Sequence, residues 1–148
     1  DCQTAVVYDR LDLTHFPHKR DHATVNPVRF VWFGVSVNRI ALYAALATLE
    51  RLAANGYDIE LTVIDDRPEV QFYNSKHLPT YHVKWDLATE NRVISNHDIA
   101  LLPPYPGKWG QVKSLNKAFT AWACGLPVTD GIDYYKTLKL VQIADERH

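Results

Sequence analysis

Two lysines four residues apart, Lys113 and Lys117, follow a loop of prolines and glycines, PPYPGKWGQV, at positions 103–112. With Lys108, Ser114, Asn116 and Thr120 they gather ammonium, amide and hydroxyl groups in one short stretch. Cations in the first turns of a helix oppose its macrodipole, and a bound anion accounts for them. A solvated helix face is the simpler reading of a lysine pair taken alone. A second candidate is Gly34-Val35-Ser36-Val37-Asn38-Arg39, between an apolar run and a long helical one. Gly34 permits close backbone approach. Ser36 and Asn38 can cap the helix or offer donors to an anion, and free N–H groups at a helix start suit a diphosphate. The spacing matches neither G-x-G-x-x-G nor a Walker A loop, so a plain strand-to-helix turn stays the simpler reading in isolation. Trp85, in Lys84-Trp85-Asp86, either stacks on a base or packs in the core or at the rim. Asp86 reads as a helix cap.

Other residues carry weaker signals. Cys2 and Cys124 are too few for a disulfide framework, and Cys124 in AFTAWACGLP reads as a small buried apolar residue. His15, His18 and His22 would share a face only if their polar segment were helical, and a solvated arm is the plainer reading than zinc. Asp65-Asp66 is an acidic pair after a strand, as receiver domains have. The pair follows the wrong strand for a receiver, and Lys84-Trp85 stands where the acceptor Asp belongs. The Asp-Asp-Arg-Pro run reads as a polar turn.

The elements that must position these groups alternate between β-rich and helical patterns. Strands are expected at Val28–Phe33, Asp58–Ile64, Thr80–Lys84, Asp98–Leu102 and Leu126–Thr129, with a short apolar run at Ala5–Tyr8. Helices are expected at Asn38–Asn55, with Ile40, Leu42, Tyr43, Leu46, Leu49 and Leu52 on one face, and at Glu69–His77. Three more are expected: Asp86–Ser95, Lys113–Cys124, and a last one running to about Ala144 from Gly131-Ile132-Asp133. Five such alternations predict an α/β, Rossmann-like, doubly wound parallel sheet of about five strands. Residues 1–27 form a polar arm and 28–148 the domain. In that fold ligands bind beyond the carboxyl ends of the strands, where the loops above lie.

Composition excludes several classes. The 148 residues are 47% hydrophobic and 22% charged, with formal net charge −1. A basic footprint for nucleic acid or an anionic membrane is missing. No apolar run reaches the roughly 18 residues of a membrane span, and the first ten residues lack a signal-peptide pattern. The chain contains no methionine, so it is expected to be processed or excised from something longer.

From His97 to Val128 the sequence HDIALLPPYPGKWGQVKSLNKAFTAWACGLPV resembles the C-terminal, donor-binding domain of GT-B glycosyltransferases of the group 1 type. The pieces that carry the resemblance are Asp98-Ile99-Ala100-Leu101-Leu102-Pro103, Lys113-Ser114-Leu115-Asn116-Lys117 and Ala121-Trp122-Ala123-Cys124-Gly125-Leu126-Pro127-Val128. Val28–Pro68 and the linker-like Tyr8–Phe16 extend it, with Arg10 where glycine is usual. The resemblance implies half of a GT-B fold that binds a UDP- or GDP-linked sugar, without metal or other cofactor. Lys113 and Ser114 would meet the diphosphate, Gly34, Ser36 and Asn38 would line its other side, and Trp85 would stand by the base. Asn116 and Lys117 would face the donor. Where many members carry two glutamates, this chain has Val112 and Thr120, and Thr120 can make one hydrogen bond. An N-terminal acceptor-binding domain would be a partner. A cytoplasmic enzyme, peripheral to the inner membrane in its full form, is implied, with no nucleic acid and no integral membrane segment. Loss of the glutamates leaves a second reading, a non-catalytic nucleotide- or carbohydrate-binding module.

Overall fold

A computed structural model describes residues 5, 10–22, 26–71, 73, 75–108, 110 and 113–145. Five strands form one sheet: β1 (Val28–Phe33), β2 (Ile59–Asp65), β3 (Thr80–Lys84), β4 (Ile99–Leu101) and β5 (Val128–Thr129). All neighbouring pairs are parallel, in the order β3-β2-β1-β4-β5. The helices are α1 (Leu42–Ala54), α2 (Glu90–Ser95), α3 (Asn116–Ala123) and α4 (Tyr134–Asp145). The expected α/β sheet is therefore present.

β1 is central, and its apolar run is the direct reason: a strand covered by helices on both faces cannot alternate with polar residues. Val28, Phe30 and Trp32 join a core with Leu42, Leu49 and Leu52 of α1 and Val141 of α4. Val31 and Phe33 point the other way, into a second core with Ile94 of α2 and Ala121 and Cys124 of α3. The i, i+3, i+4 spacing of Leu42, Ala45, Leu46, Leu49 and Leu52 sets the buried stripe of α1. Each fully buried leucine there contributes roughly 1.5–3 kcal/mol.

Several expected elements change. The long helix begins later, because Ser36–Ala41 is a tight 3-10 turn. Ile40 falls outside the helical period and Tyr43 lies off the stripe, so both are exposed. The expected Glu69–His77 helix is replaced by turns among the described residues. Arg39 explains this: its guanidinium donates to the carbonyls of Arg67 (2.5 Å) and Val70 (2.6 Å). A helix would need the Val70 carbonyl for its own ladder. α2 starts at Glu90, four residues after Asp86, whose carboxylate accepts from the Ala88 N–H in a turn. α3 starts at Asn116, leaving Lys113 and Ser114 outside the helix, which keeps one cation out of the positive dipole end. Of the expected Ala5–Tyr8 strand, residues 6–8 lie outside the described ones, as do Cys2, Val112 and His148.

The arm is not helical across its histidines; a 3-10 turn covers only Leu13–His15. It packs back on the domain instead. The Lys19 N–H donates to the Cys124 carbonyl at 2.9 Å, and its ammonium reaches the Asp98 carboxylate at 2.6 Å.

Candidate functional site

Strand order reverses between β1 and β4, so the loops leaving their carboxyl ends diverge and open a crevice. A cavity of about 670 Å³ occupies this place. Its walls include Trp32 at the end of β1, Asn38 and Ala41 from the 3-10 turn, and Leu102–Tyr105 after β4. Lys113–Ala118, Trp122 and Asp130 close the other side. A smaller cavity of about 300 Å³ touches Lys19 and Asp98 before β4. Its charged groups already pair with each other.

Two ammonium groups converge on the larger cavity. Lys117 lies with its Nζ 4.8 Å from the Trp32 ring centroid. A Cβ added to Gly34 would overlap that Nζ, so Gly34 is what lets the lysine come this close. Burial, and then the like charge of Lys113, lowers the Lys117 pKa to about 8. Lys113 sits over the Tyr105 ring at 4.3 Å and donates to Asn38 Oδ1 at 3.2 Å. Among the described residues neither lysine forms an ion pair with a carboxylate. Aromatic faces hold both cations, and the Glu90 carboxylate offsets the Lys117 charge less than burial and Lys113 oppose it.

The first loop behaves differently from the expectation of free amides. The Gly34 N–H donates to the Ile64 carbonyl (3.0 Å) and the Asn38 N–H to Val35 (2.8 Å). The Ser36 N–H donates to Asp66 Oδ1 at 2.7 Å, and this bond holds the Asp66 carboxyl below its ordinary value. Asp66, from the end of β2, therefore caps the 3-10 turn, while Val35 and Ala41 at the starts of the turn and of α1 offer no capping side chain. The contribution of this loop to the crevice is thus the Asn38 side chain and the space Gly34 leaves for Lys117.

Of the residues singled out in sequence, Asn38, Lys113, Ser114, Asn116 and Lys117 line the crevice together. Gly34 borders it through Lys117. Ser36, Trp85, Lys108 and Thr120 do not line it. Trp85 follows β3, an outer strand two positions from β1, and its N–H is held by the Asp65 carbonyl at 2.7 Å. The residue is 42% exposed, so rim placement is the reading that fits. Cys124 is fully buried, and burial raises its thiol pKa to about 11, which makes it inert as a nucleophile.

Sequence reasoning missed three contributors. Trp32 reads as core, and 2% of it is exposed, yet its ring carries Lys117. Asp130 directly follows β5, and the rule that sites lie after strands would have flagged it. The buried pair of Arg39 and Asp65 was also missed. Both Asp65 oxygens accept from the Arg39 guanidinium, and Asp65 Oδ1 also accepts from the Arg67 N–H at 2.8 Å. The visible signal was an arginine beside Asn38 in an otherwise apolar helix start. This pairing leaves Asp65 unavailable for receiver-type chemistry. Among the described residues no three His, Cys, Asp or Glu side chains gather as metal ligands would, and no helix is long and apolar enough to cross a membrane.

In comparisons with known proteins, no family model matches the chain and no curated protein matches it.

Proposed function

We propose that the crevice binds the diphosphate of a nucleotide-sugar, and that this domain is the donor-binding half of a glycosyltransferase. The observation that carries the reading is the convergence of Lys113 and Lys117, without a carboxylate partner, at the strand-order reversal. Two cations without an ion-pair partner in a partly desolvated crevice repel each other, and an anion between them relieves that cost. The sequence resemblance to GT-B donor domains supports the nucleotide-sugar in particular. On this reading, charge builds on the diphosphate as the sugar leaves for an acceptor hydroxyl, and the two ammonium groups stabilise it. The acceptor would be held by a second domain, so the isolated chain binds donor without appreciable turnover.

Calorimetric titration with UDP, GDP and their sugar conjugates tests this. One nucleotide should bind in the micromolar-to-millimolar range. Lys113→Ala should weaken it about tenfold or more, as loss of a charge-assisted hydrogen bond does. Undiminished binding in Lys113→Ala would place the ligand elsewhere. Because Val112 and Thr120 replace a glutamate pair, a non-catalytic binding module is the second reading. It predicts nucleotide binding with no sugar transfer by the complete protein.

A further inference from the structure

The crevice holds one acidic side chain among its described lining residues, Asp130. It stands on a turn that is fixed from several sides. Asp130 Oδ1 accepts from the Ile132 N–H at 2.9 Å. The Gly131 N–H donates to Thr129 Oγ1 at 3.1 Å, and Thr129 Oγ1 lies 3.3 Å from Thr137 Oγ1. Gly131 has φ +69°, and a Cβ there would collide with Leu101 and Ala45, so the turn sits hard against the core. Asp130 itself is exposed, at the border between this crevice and a neighbouring cavity that Lys136 and Lys139 line.

The carboxylate shares the cavity with Lys113 and Lys117 but pairs with neither. The carboxylate and the ammonium groups therefore stand apart in one cavity, beyond ion-pair distance. A ligand that fills it must offer anionic oxygens to the lysines and hydrogen-bond donors to Asp130. A bare polyphosphate satisfies only the first demand and is repelled by the second group. A phosphate ester carrying vicinal hydroxyls satisfies both, since an ionised carboxylate is an acceptor only.

We propose that Asp130 is a specificity-determining residue that accepts hydrogen bonds from hydroxyls of the bound phosphate ester. This rests on the nucleotide-sugar reading above and names the group that selects a polyhydroxylated ligand over inorganic phosphates. Two parts of the ligand carry such hydroxyls, the ribose and the transferred sugar.

Titrations of the wild type and Asp130→Asn with pyrophosphate, UDP, 2′,3′-dideoxy-UDP and UDP-glucose separate the cases. In the wild type UDP should bind about tenfold more tightly than its dideoxy analogue if the ribose is read. If the transferred sugar is read, the tenfold margin should appear between UDP-glucose and UDP instead. In Asp130→Asn that margin should shrink towards unity, while pyrophosphate binds more tightly than to the wild type. The opposite signs for the two ligands exclude a merely structural effect, which would weaken both. Nucleotide binding whose margins are the same in wild type and variant overturns the role of Asp130 and leaves the nucleotide-sugar reading standing. Failure of every nucleotide to bind overturns both.

Discussion

At the scale of single residues, Gly34 and Lys117 form one unit. In Gly34→Ala the new Cβ overlaps the Lys117 ammonium and lies 3.1 Å from the Trp32 ring. The ammonium is the end of a flexible chain, so it moves and the fold holds. The expected outcome is a stability change under about 1 kcal/mol with roughly tenfold weaker nucleotide binding, read by thermal melting and titration. An unchanged affinity would detach Lys117 from the ligand. The same lysine makes a pH prediction. Its pKa falls from 10.5 to about 8 in the folded chain, chiefly through burial. Between those values the unfolded state holds the proton and the folded state does not, so this group makes stability rise with pH. Lys117→Met should therefore be more stable than the wild type at pH 7, by on the order of 1 kcal/mol. Its advantage should shrink between pH 8 and 10, as urea unfolding at each pH would show. A constant difference across that range would contradict the assignment.

Elements are placed by a few buried polar contacts. Arg39 and Asp65 are 6% and 0% exposed and tie the 3-10 turn to the end of β2. The hydrogen bond with Asp65 raises the Arg39 pKa further, so the guanidinium stays charged. Removing one partner strands a buried charge, which costs about 3–5 kcal/mol. Asp65→Ala should lose that much stability in chemical denaturation and free the 66–70 turn. The double change Asp65→Leu with Arg39→Met should cost less than the single one, because neither charge is then left alone. Equal losses would mean that the pair contributes packing only.

For the whole molecule, Asp98 is the charged contact that closes the arm on the domain, beside the bonds of Lys19 to Cys124, His18 to Ala123 and Asn91 to His15. Burial pushes its carboxyl up, but hydrogen bonds from Lys19 and Arg29 outweigh this and hold it below its ordinary value of 3.8. A depressed carboxylate adds stability above its unfolded pKa and loses it as pH falls through the folded one. Acid should thus release the arm below about pH 4, before the sheet melts. Limited proteolysis between residues 10 and 22 should accelerate there, and Asp98→Asn should show the faster cleavage already at neutral pH. Cleavage that tracks global unfolding instead would mean that the arm and sheet are one cooperative unit.

Much was legible in the chain itself. The run Val28–Phe33 read as a buried strand, and the leucine spacing of α1 fixed its inner stripe. The order of strand and helix patterns fixed the parallel class, and the Gly34 loop and Lys113–Lys117 stretch marked two sides of one crevice. These are short-range properties: periodicity and turn chemistry act over a few residues. The rest was settled by juxtaposition across the fold. Lys117 meets Trp32 and Gly34, 85 and 83 positions earlier in sequence, only because α3 follows the strand that pairs beside β1. The Gly34 and Ser36 amides that look free in sequence are taken by Ile64 and Asp66 once β2 lies alongside, and the Asn38 amide by Val35 within the 3-10 turn. Trp85 is carried away from the crevice, and Asp130 into it, by the strand order β3-β2-β1-β4-β5. That order depends on which faces the crossing helices cover, and local sequence fixes each element without fixing its neighbours.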